Sequence, residues 1–250
     1  MSAALPMLRL DRLLANMGYG SRKDIQSLVK HGRVLLDGQA VMDAGLHVPV
    51  SPALCQRLKI SGAALDPPPG VVLAMHKPLG VTCSHKEIGP LVYGLLPPRW
   101  RDRKPAISTV GRLDKDTSGL LLMTDDGALL HRIIAPKSSV AKRYRVALAR
   151  ALRGDEAAVL ASGTLMLDGE EKPLLPVTME IPDGAASDQP VVYVTLTEGR
   201  YHQVRRMFAA LGNHVAALHR DRVGGVTLPN ELAAGEYRIL DAQETALIFG

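Results

Sequence analysis

The most informative residues for the fold of this chain are Gly111-Arg-Leu-Asp-Lys-Asp-Thr-Ser-Gly-Leu-Leu-Leu-Met-Thr-Asp-Asp-Gly127. Their first half is charged and rich in turn-forming residues, whereas Leu120 to Met123 form an apolar run that predicts a buried strand closed by an Asp-Gly turn. Functional carboxylates are often carried on a loop that such a strand holds in place. Asp114 and Asp116 are therefore the first candidates for chemistry.

The same stretch also imitates a calcium-binding loop. Counted from Asp114, it offers oxygen ligands at Asp116 and Ser118, a glycine at Gly119 and Asp125 at the twelfth position. The twelfth ligand of such loops is a longer, bidentate Glu, and a proline and a glycine interrupt the segment where an entering helix should run. No second loop of this kind occurs in the sequence, so a catalytic role for the carboxylates is the better interpretation.

Composition indicates an ordinary globular protein that prefers polyanions. The 250 residues are 46% hydrophobic and 22% charged, with a net charge of +5 and a pI near 9.3. The basic excess is concentrated at the front, with eight Lys or Arg against four Asp among residues 1–60, and a second basic cluster follows at residues 99–104. This distribution favours a nucleic-acid partner, although charge alone is weak evidence.

Cysteine content and hydropathy exclude several classes of protein. Cys55 and Cys83 are too few and too far apart for a disulfide scaffold or a zinc site, and we expect them to be reduced thiols. The sequence contains no apolar run of membrane-spanning length and no pattern typical of a secretion signal. A cytoplasmic protein with no membrane association is therefore expected.

The first 66 residues predict a small helical module. Leu10, Leu13, Leu14 and Met17 recur at helical spacing. A second helix should begin after Ser21, which forms a capping box with Asp24, and end at Gly32. A short hairpin with an Asp37-Gly38 turn should follow.

This order of elements, with Arg-Leu-Asp-Arg-Leu-Leu-Ala at its start and Gly-Arg-Val-Leu-Leu-Asp-Gly after the second helix, resembles an S4 RNA-binding domain. The basic residues on it are candidates for clamping RNA phosphates. They are Arg9, Arg12, Arg22, Lys23 and Arg33. Solvated charges on a small helical domain remain the alternative, and S4 domains also occur in ribosomal proteins and synthetases.

The rest of the chain predicts a second, α+β domain. Residues 67–70 are a Pro-rich linker, so we place an S4 domain at 1–66 and a larger domain at 71–250. Short apolar runs alternate irregularly with helical stretches near 155–162 and 203–211, which favours a mixed, mostly antiparallel sheet. An exposed loop is expected at 182–190.

Four ordered motifs in this second part resemble those of the pseudouridine synthases. They are Lys77-Pro78-x-Gly80, Arg112-Leu113-Asp114, the run from Glu198 to Phe208, and His219-Arg220 with Gly224-Gly225. The resemblance implies a pseudouridine-synthase fold that isomerises uridine in RNA without cofactor or metal. Together with the S4 front, it covers essentially the whole chain.

The resemblance also implies roles for individual residues. Asp114 is the catalytic aspartate, either attacking the ribose C1′ or taking a proton from C2′, and Arg205 is the cation that keeps it ionised. Tyr144 packs against the uracil, and Arg112 fills the space left by the flipped nucleotide. Further assignments concern the loop and its surroundings: Lys77 lines the pocket and binds RNA, Asp116 ties the loop to backbone donors, and His202 and His219 are structural.

The form Gly-Arg-Tyr-His-Gln-Val-Arg-Arg-Met resembles the bacterial S4-containing branch that modifies ribosomal RNA, and within it the small-subunit, RsuA-type enzymes. The expected partner is therefore 16S ribosomal RNA, either free or in an assembling small subunit, and the expected state is a monomer. Two alternatives stay open at this point. They are a synthase acting on 23S ribosomal RNA and a non-catalytic RNA-binding factor in ribosome assembly.

Overall fold

The computed structural model describes residues 5–84, 87–182 and 188–250. The chain forms two compact units. The first consists of the chain up to Val72 together with Leu96–Ser108 and Thr124–Gly127, and the second contains the remainder. Most of the loop predicted at 182–190 lies outside the described residues. No helix in the described ranges is long and apolar enough to cross a membrane.

The first unit is a small α+β module around one hydrophobic core. Its elements are β1 (Met7–Arg9), α1 (Leu10–Asn16), α2 (Arg22–Lys30), β2 (Val34–Leu36), β3 (Gln39–Ala40), β4 (His47–Pro49), α3 (Leu54–Arg57), β5 (Leu58–Ile60), β6 (Ala63–Ala64) and a 3-10 helix at Pro98–Asp102. The capping box is confirmed, since Ser21 and Asp24 exchange side-chain and backbone hydrogen bonds at the start of α2. The predicted hairpin is the β2–β3 pair, turned by Asp37 and Gly38 with positive φ.

Several short strands of this unit carry no sequence signal. The strand order of its main sheet is β3-β2-β5-β6, and β1 pairs separately with β4. These strands are only two or three residues long, too short for an alternating pattern to stand out. Tertiary packing against the core around Leu10, Leu14 and Leu58 selects them instead.

A buried ion pair fixes the Pro-rich segment of the first unit. Arg103 and Asp125 pair at 2.8 Å, and both side chains are only 1% exposed. Arg103 also donates to the carbonyl of Pro67, and Asp125 accepts from the amides of Gly70 and Val71. Residues 96–108 and 124–127 are therefore part of this unit, although the predicted limits of 1–66 and 71–250 place them in the second domain. The domain limits along the sequence stay a prediction. The same contacts engage both carboxylate oxygens of Asp125, which the imitated calcium site would need.

The second unit is built on a mixed, mostly antiparallel sheet. Its elements are β7 (Val72–Lys77), β8 (Ser108–Thr109), β9 (Thr117–Thr124), α4 (Gly127–Ile134), β10 (Lys142–Leu148), α5 (Glu156–Ser162), β11 (Thr178–Glu180), β12 (Val191–Leu196), α6 (Gln203–Ala210), β13 (Val215–Val223), β14 (Val226–Thr227), β15 (Tyr237–Ile239) and α7 (Ala242–Ala246). Short 3-10 helices lie at Val92–Leu95, Pro136–Ser138 and Leu247–Phe249. In the described part of the chain, the sheet has nine strands in the order β11-β12-β10-β13-β9-β7-β15, with β14 beside β13 and β8 beside β9.

The predicted central strand is confirmed, and it is longer than expected. Leu120 to Met123 are at most 1% exposed, which explains their continuous apolar run, because a strand covered on both faces has no polar side. Burying each of these leucines contributes about 1.5–3 kcal/mol. β9 begins earlier, at Thr117, because Thr117, Ser118 and Gly119 pair in parallel with β13. The Asp-Gly turn predicted at its end is wrong, since Gly127 begins α4.

Candidate active site

The loop before β9 is held from two sides and presents Asp114 to solvent. The amide of Thr117 donates to the carbonyl of Asp114 at 3.1 Å, which closes a turn. The amide of Gly80 donates to the carbonyl of Lys115 at 2.8 Å, which ties the loop to the segment after β7. The Asp114 side chain is 32% exposed, and Arg112 is exposed beside it. The carboxylate is therefore both fixed and accessible.

Asp114 has a histidine within ion-pair distance. His202 Nε2 lies 3.4 Å from Asp114 Oδ1, within ion-pair distance when the imidazole is protonated. His202 is the residue before α6 and has a left-handed backbone with φ of 47°. The sequence predicts a structural role for His202, whereas the structure gives it direct contact with the candidate catalytic group.

Arg205 corrects one expectation and Asp116 another. The Arg205 guanidinium pairs with the Asp116 carboxylate at 2.8 Å and donates to the carbonyls of Asp116 and Val215 at 3.1 Å. No ion pair joins Arg205 to Asp114 in the described residues, so the expected direct partnership is wrong. Asp116 likewise binds a guanidinium instead of backbone donors. The reason is that the Asp116 side chain and carbonyl both face α6, and Arg205 satisfies both. Arg205 therefore anchors the loop that carries Asp114.

Lys77 is an interior residue. Its side chain is fully buried, and its ammonium donates to the carbonyls of Pro78 and Thr117 at 3.0 and 2.8 Å. Burial lowers the pKa of Lys77, while the nearby charges of Asp114 and Asp116 act in the opposite direction. The predicted contact of Lys77 with RNA is therefore corrected, because a buried ammonium with two carbonyl acceptors does not reach a phosphate. It lends positive charge to the wall behind the two aspartates.

Tyr144 lies on β10 beside an unexpected buried arginine. Tyr144 pairs across the sheet with Arg220, whose Nη1 lies 3.5 Å from the phenol oxygen. Arg220 is 3% exposed and donates from Nε to the carbonyl of Leu120 at 2.8 Å. Its Nη2 is buried and has no hydrogen-bond partner among the described residues. Leaving a buried donor unpaired costs free energy, so this group needs an explanation. Arg220 is a cation beside Tyr144 for which the sequence predicted no role.

Comparisons with known proteins identify the family of this chain. Residues 71–210 match the family model described as RNA pseudouridylate synthase, and residues 8–51 match the S4 domain model. The chain belongs to the RNA pseudouridylate synthase family. The resemblance inferred from the motifs is thus confirmed, and the protein is an isomerase with an S4 domain at its front.

Relatives of this synthase match along nearly the whole chain. An uncharacterized RNA pseudouridine synthase of Bacillus subtilis is 39% identical over 242 residues, covering 96% of this chain and 98% of the relative. The ribosomal small subunit pseudouridine synthase A of Escherichia coli K12 is 37% identical over 245 residues, covering 96% of this chain and all of the relative. A crystal structure of a pseudouridylate synthase has a TM-score of 0.66 and 34% identity, and the match covers 96% of this chain and 99% of that one.

A cavity of about 880 Å³ adjoins the Asp114 loop of the synthase. Its lining includes Lys115, Asp116, Arg145, Arg205 and His219. Among the described residues that line it, the one carboxylate is already paired with Arg205, so the cavity has an excess of positive charge. Such a cavity suits a phosphate-bearing ligand of nucleotide size.

His219 lines this cavity and contacts Ser118 and His76. Its Nδ1 lies 2.9 Å from Ser118 Oγ, and its ring packs edge-on against His76 at 5.5 Å. Burial, with a smaller contribution from His76, lowers the pKa of His219, so the imidazole is neutral at pH 7. This agrees with a hydrogen-bonded packing role.

The basic residues predicted to bind RNA on the first unit are all exposed. Two of them are engaged with a buried acid: Arg22 and Arg9 pair with Asp11 at 2.7 and 3.1 Å. Burial of Asp11 raises its pKa, but the hydrogen bonds from these two arginines outweigh burial and lower it to about 2. Arg12, Lys23 and Arg33 are exposed as well, and their binding to RNA phosphates stays a prediction.

Proposed function

We propose that this synthase isomerises a uridine of small-subunit (16S) ribosomal RNA to pseudouridine, with Asp114 as the catalytic aspartate. The observation that supports 16S RNA as the substrate is the similarity, over nearly the whole chain, to relatives named ribosomal small subunit pseudouridine synthase A. That similarity includes the S4 part as well as the catalytic part. Ribosomal RNA as substrate also implies a cytoplasmic enzyme.

The reaction defines what Asp114 must do. The bond between ribose C1′ and N1 of uracil breaks, the uracil turns, and a bond forms between C1′ and C5. C5 loses its proton and N1 gains one, so the change is an isomerisation. An ionised carboxylate at the sugar either attacks C1′ or accepts the C2′ proton. His202 Nε2, 3.4 Å from Asp114 Oδ1, is placed to hold this carboxylate in position for either route.

The surrounding residues take supporting roles in this proposal. Tyr144 packs against the uracil once it leaves the RNA stack, and Arg112 occupies the vacated space, offsetting an unstacking cost of a few kcal/mol. Arg205 holds the loop through Asp116. Exposed cations of the S4 domain anchor the RNA through phosphates and shape. We further propose that the enzyme acts as a monomer on RNA that is free or part of an assembling small subunit.

The experiment measures tritium release from 16S RNA labelled at uracil C5, because C5 loses its hydrogen in the reaction. Asp114→Asn should reduce release by at least ~10²–10⁴-fold and leave RNA affinity within a few-fold of wild type. Asp116→Asn is the matched control, since it removes a neighbouring carboxylate. It should reduce tritium release less than Asp114→Asn, because it only loosens the loop. Normal turnover by Asp114→Asn would refute the assignment.

Mapping of pseudouridine in a deletion strain identifies the substrate. Loss of one site in 16S RNA is expected. Loss of a site in 23S RNA would instead show that the enzyme is a large-subunit synthase. If no site disappears from either RNA, the protein is instead a non-catalytic assembly factor.

A further inference from the structure

Tyr201 is a large aromatic residue exposed beside the catalytic carboxylate. Its residue surface is 71% accessible, in a chain where aromatics are only 4% of the composition. One face of its ring stacks on the imidazole of His202, with centroids 3.9 Å apart and planes inclined by 16°. Since His202 covers one face, the high exposure of the residue leaves the opposite face accessible. Exposed aromatic rings in RNA-binding proteins serve as stacking surfaces for bases.

Backbone and side-chain contacts hold this pair in place. His202 has φ of 47°, a conformation that residues with side chains adopt at a cost and that concentrates at functional sites. The carbonyl of Tyr201 accepts from Arg206 Nη1 at 3.2 Å, and the same nitrogen pairs with Glu170 at 2.8 Å. The stacked pair is therefore a fixed feature of the entry to α6.

The stacked rings of Tyr201 and His202 lie next to Asp114. This position determines which nucleotide can stack on Tyr201. His202 Nε2 lies 3.4 Å from Asp114 Oδ1. A base on the open face of Tyr201 would lie about two ring layers, roughly 7–8 Å, from the His202 ring, given a normal stacking distance of about 3.4 Å. One nucleotide of backbone spans that separation. When a uridine at Asp114 leaves the stack, its neighbour loses a stacking partner.

We propose that Tyr201, backed by His202, is the stacking platform for the base next to the flipped uridine. The platform replaces the stacking that flipping removes and so stabilises the flipped complex. Because every base has an aromatic face, the platform supports flipping without selecting a sequence. This inference rests on the proposed function, which supplies the nucleotide at Asp114.

The test is a cycle between protein and RNA changes, read as kcat/KM for pseudouridine formation on the mapped site. Tyr201→Leu removes the aromatic face and should lower kcat/KM by about 5- to 150-fold, the loss expected for one base stack. Tyr201→Phe should restore most of that loss. Met166→Ala changes an apolar residue that is also partly exposed in the same unit and should match wild type.

RNA that carries an abasic nucleotide immediately 5′ or 3′ of the target completes the cycle. On one of these two RNAs the wild type should lose the same factor, and Tyr201→Leu should lose less than twofold more. A purely structural role for Tyr201 would give losses that multiply on both abasic RNAs, and this outcome overturns the inference, as does Tyr201→Leu within twofold of wild type on intact RNA. Wild-type protein that modifies neither 16S nor 23S RNA would instead defeat the proposed function, and the inference with it.

Discussion

The glycine of the Thr-Ser-Gly segment provides a sharp test of how the Asp114 loop is supported. Gly119 has φ of 112° and pairs with Arg220 where β9 meets β13. A Cβ at this position would lie 2.6 Å from the Arg220 amide nitrogen and closer still to its carbonyl oxygen. Gly111 is a matched control from the same motif, because its φ is also positive, at 71°, and a Cβ there would meet nothing within 4 Å among the described residues.

The expected magnitudes follow from these two environments. Gly111→Ala incurs only backbone strain, about 1–2 kcal/mol. Gly119→Ala incurs strain plus overpacking of about 1–3 kcal/mol or more, and the crowded atoms are backbone atoms that cannot rotate away. The total of about 2–5 kcal/mol is a large share of the ~5–15 kcal/mol that stabilises an ordinary domain. At roughly 2–4 °C per kcal/mol, Tm should fall by about 4–20 °C for Gly119→Ala and by about 2–8 °C for Gly111→Ala.

Thermal unfolding followed by far-ultraviolet circular dichroism and calorimetry measures both variants, alongside tritium release at a temperature where both are folded. Gly119→Ala should also lose activity, because Ser118 and Thr117 lead directly into the Asp114 loop. Equal Tm shifts for the two variants would refute the prediction, because they would show that the close approach of Gly119 to Arg220 is not a constraint.

Three further predictions concern the first unit. Arg103→Met leaves Asp125 charged, buried and unpaired, and should reduce the free energy of unfolding by about 3–5 kcal/mol in urea titrations. Asp11 has its pKa lowered from 3.8 to about 2, so its contribution to stability is complete above about pH 4 and is lost as the pH falls toward 2. Asp11→Asn should therefore be destabilising at pH 7, and its difference from wild type should shrink below pH 4 in urea titrations across that range. The double variant Lys23→Gln/Arg33→Gln should weaken RNA binding and flatten its logarithmic salt dependence by up to ~0.9 for each phosphate that these cations neutralise.

Each of these has a clear contradicting result. The control for Arg103→Met is Arg153→Met, which breaks an ion pair whose side chains are 55% and 60% exposed. It should reduce the free energy of unfolding by no more than about 1 kcal/mol. Arg103→Met with an equally small effect would mean that its buried pair is not important. A pH-independent difference between Asp11→Asn and wild type would contradict the role of the two arginines. An unchanged salt slope would show that RNA does not touch Lys23 or Arg33.

Local features and family membership follow from the amino-acid sequence alone. Periodicity and turn chemistry act within a few positions, so neighbouring residues determine three local features. These are the capping box of Ser21 and Asp24, the hairpin turn at Asp37 and the buried run from Leu120. The ordered motifs were sufficient to indicate a pseudouridine synthase with an S4 front, which the family models confirm. The domain limits and the roles of the site residues stay predictions.

Which groups meet in the site depends on tertiary packing. Arg205 and Asp116 are 89 positions apart in the chain, and their pairing depends on how α6 packs against β13, the strand that pairs with β9. No local pattern encodes this packing. The same packing directs His202 to Asp114 and leaves Tyr201 exposed. Burial likewise separates Lys77 from the solvent-exposed cations that look identical to it in sequence, because charge is a property of the residue but exposure is a property of the fold.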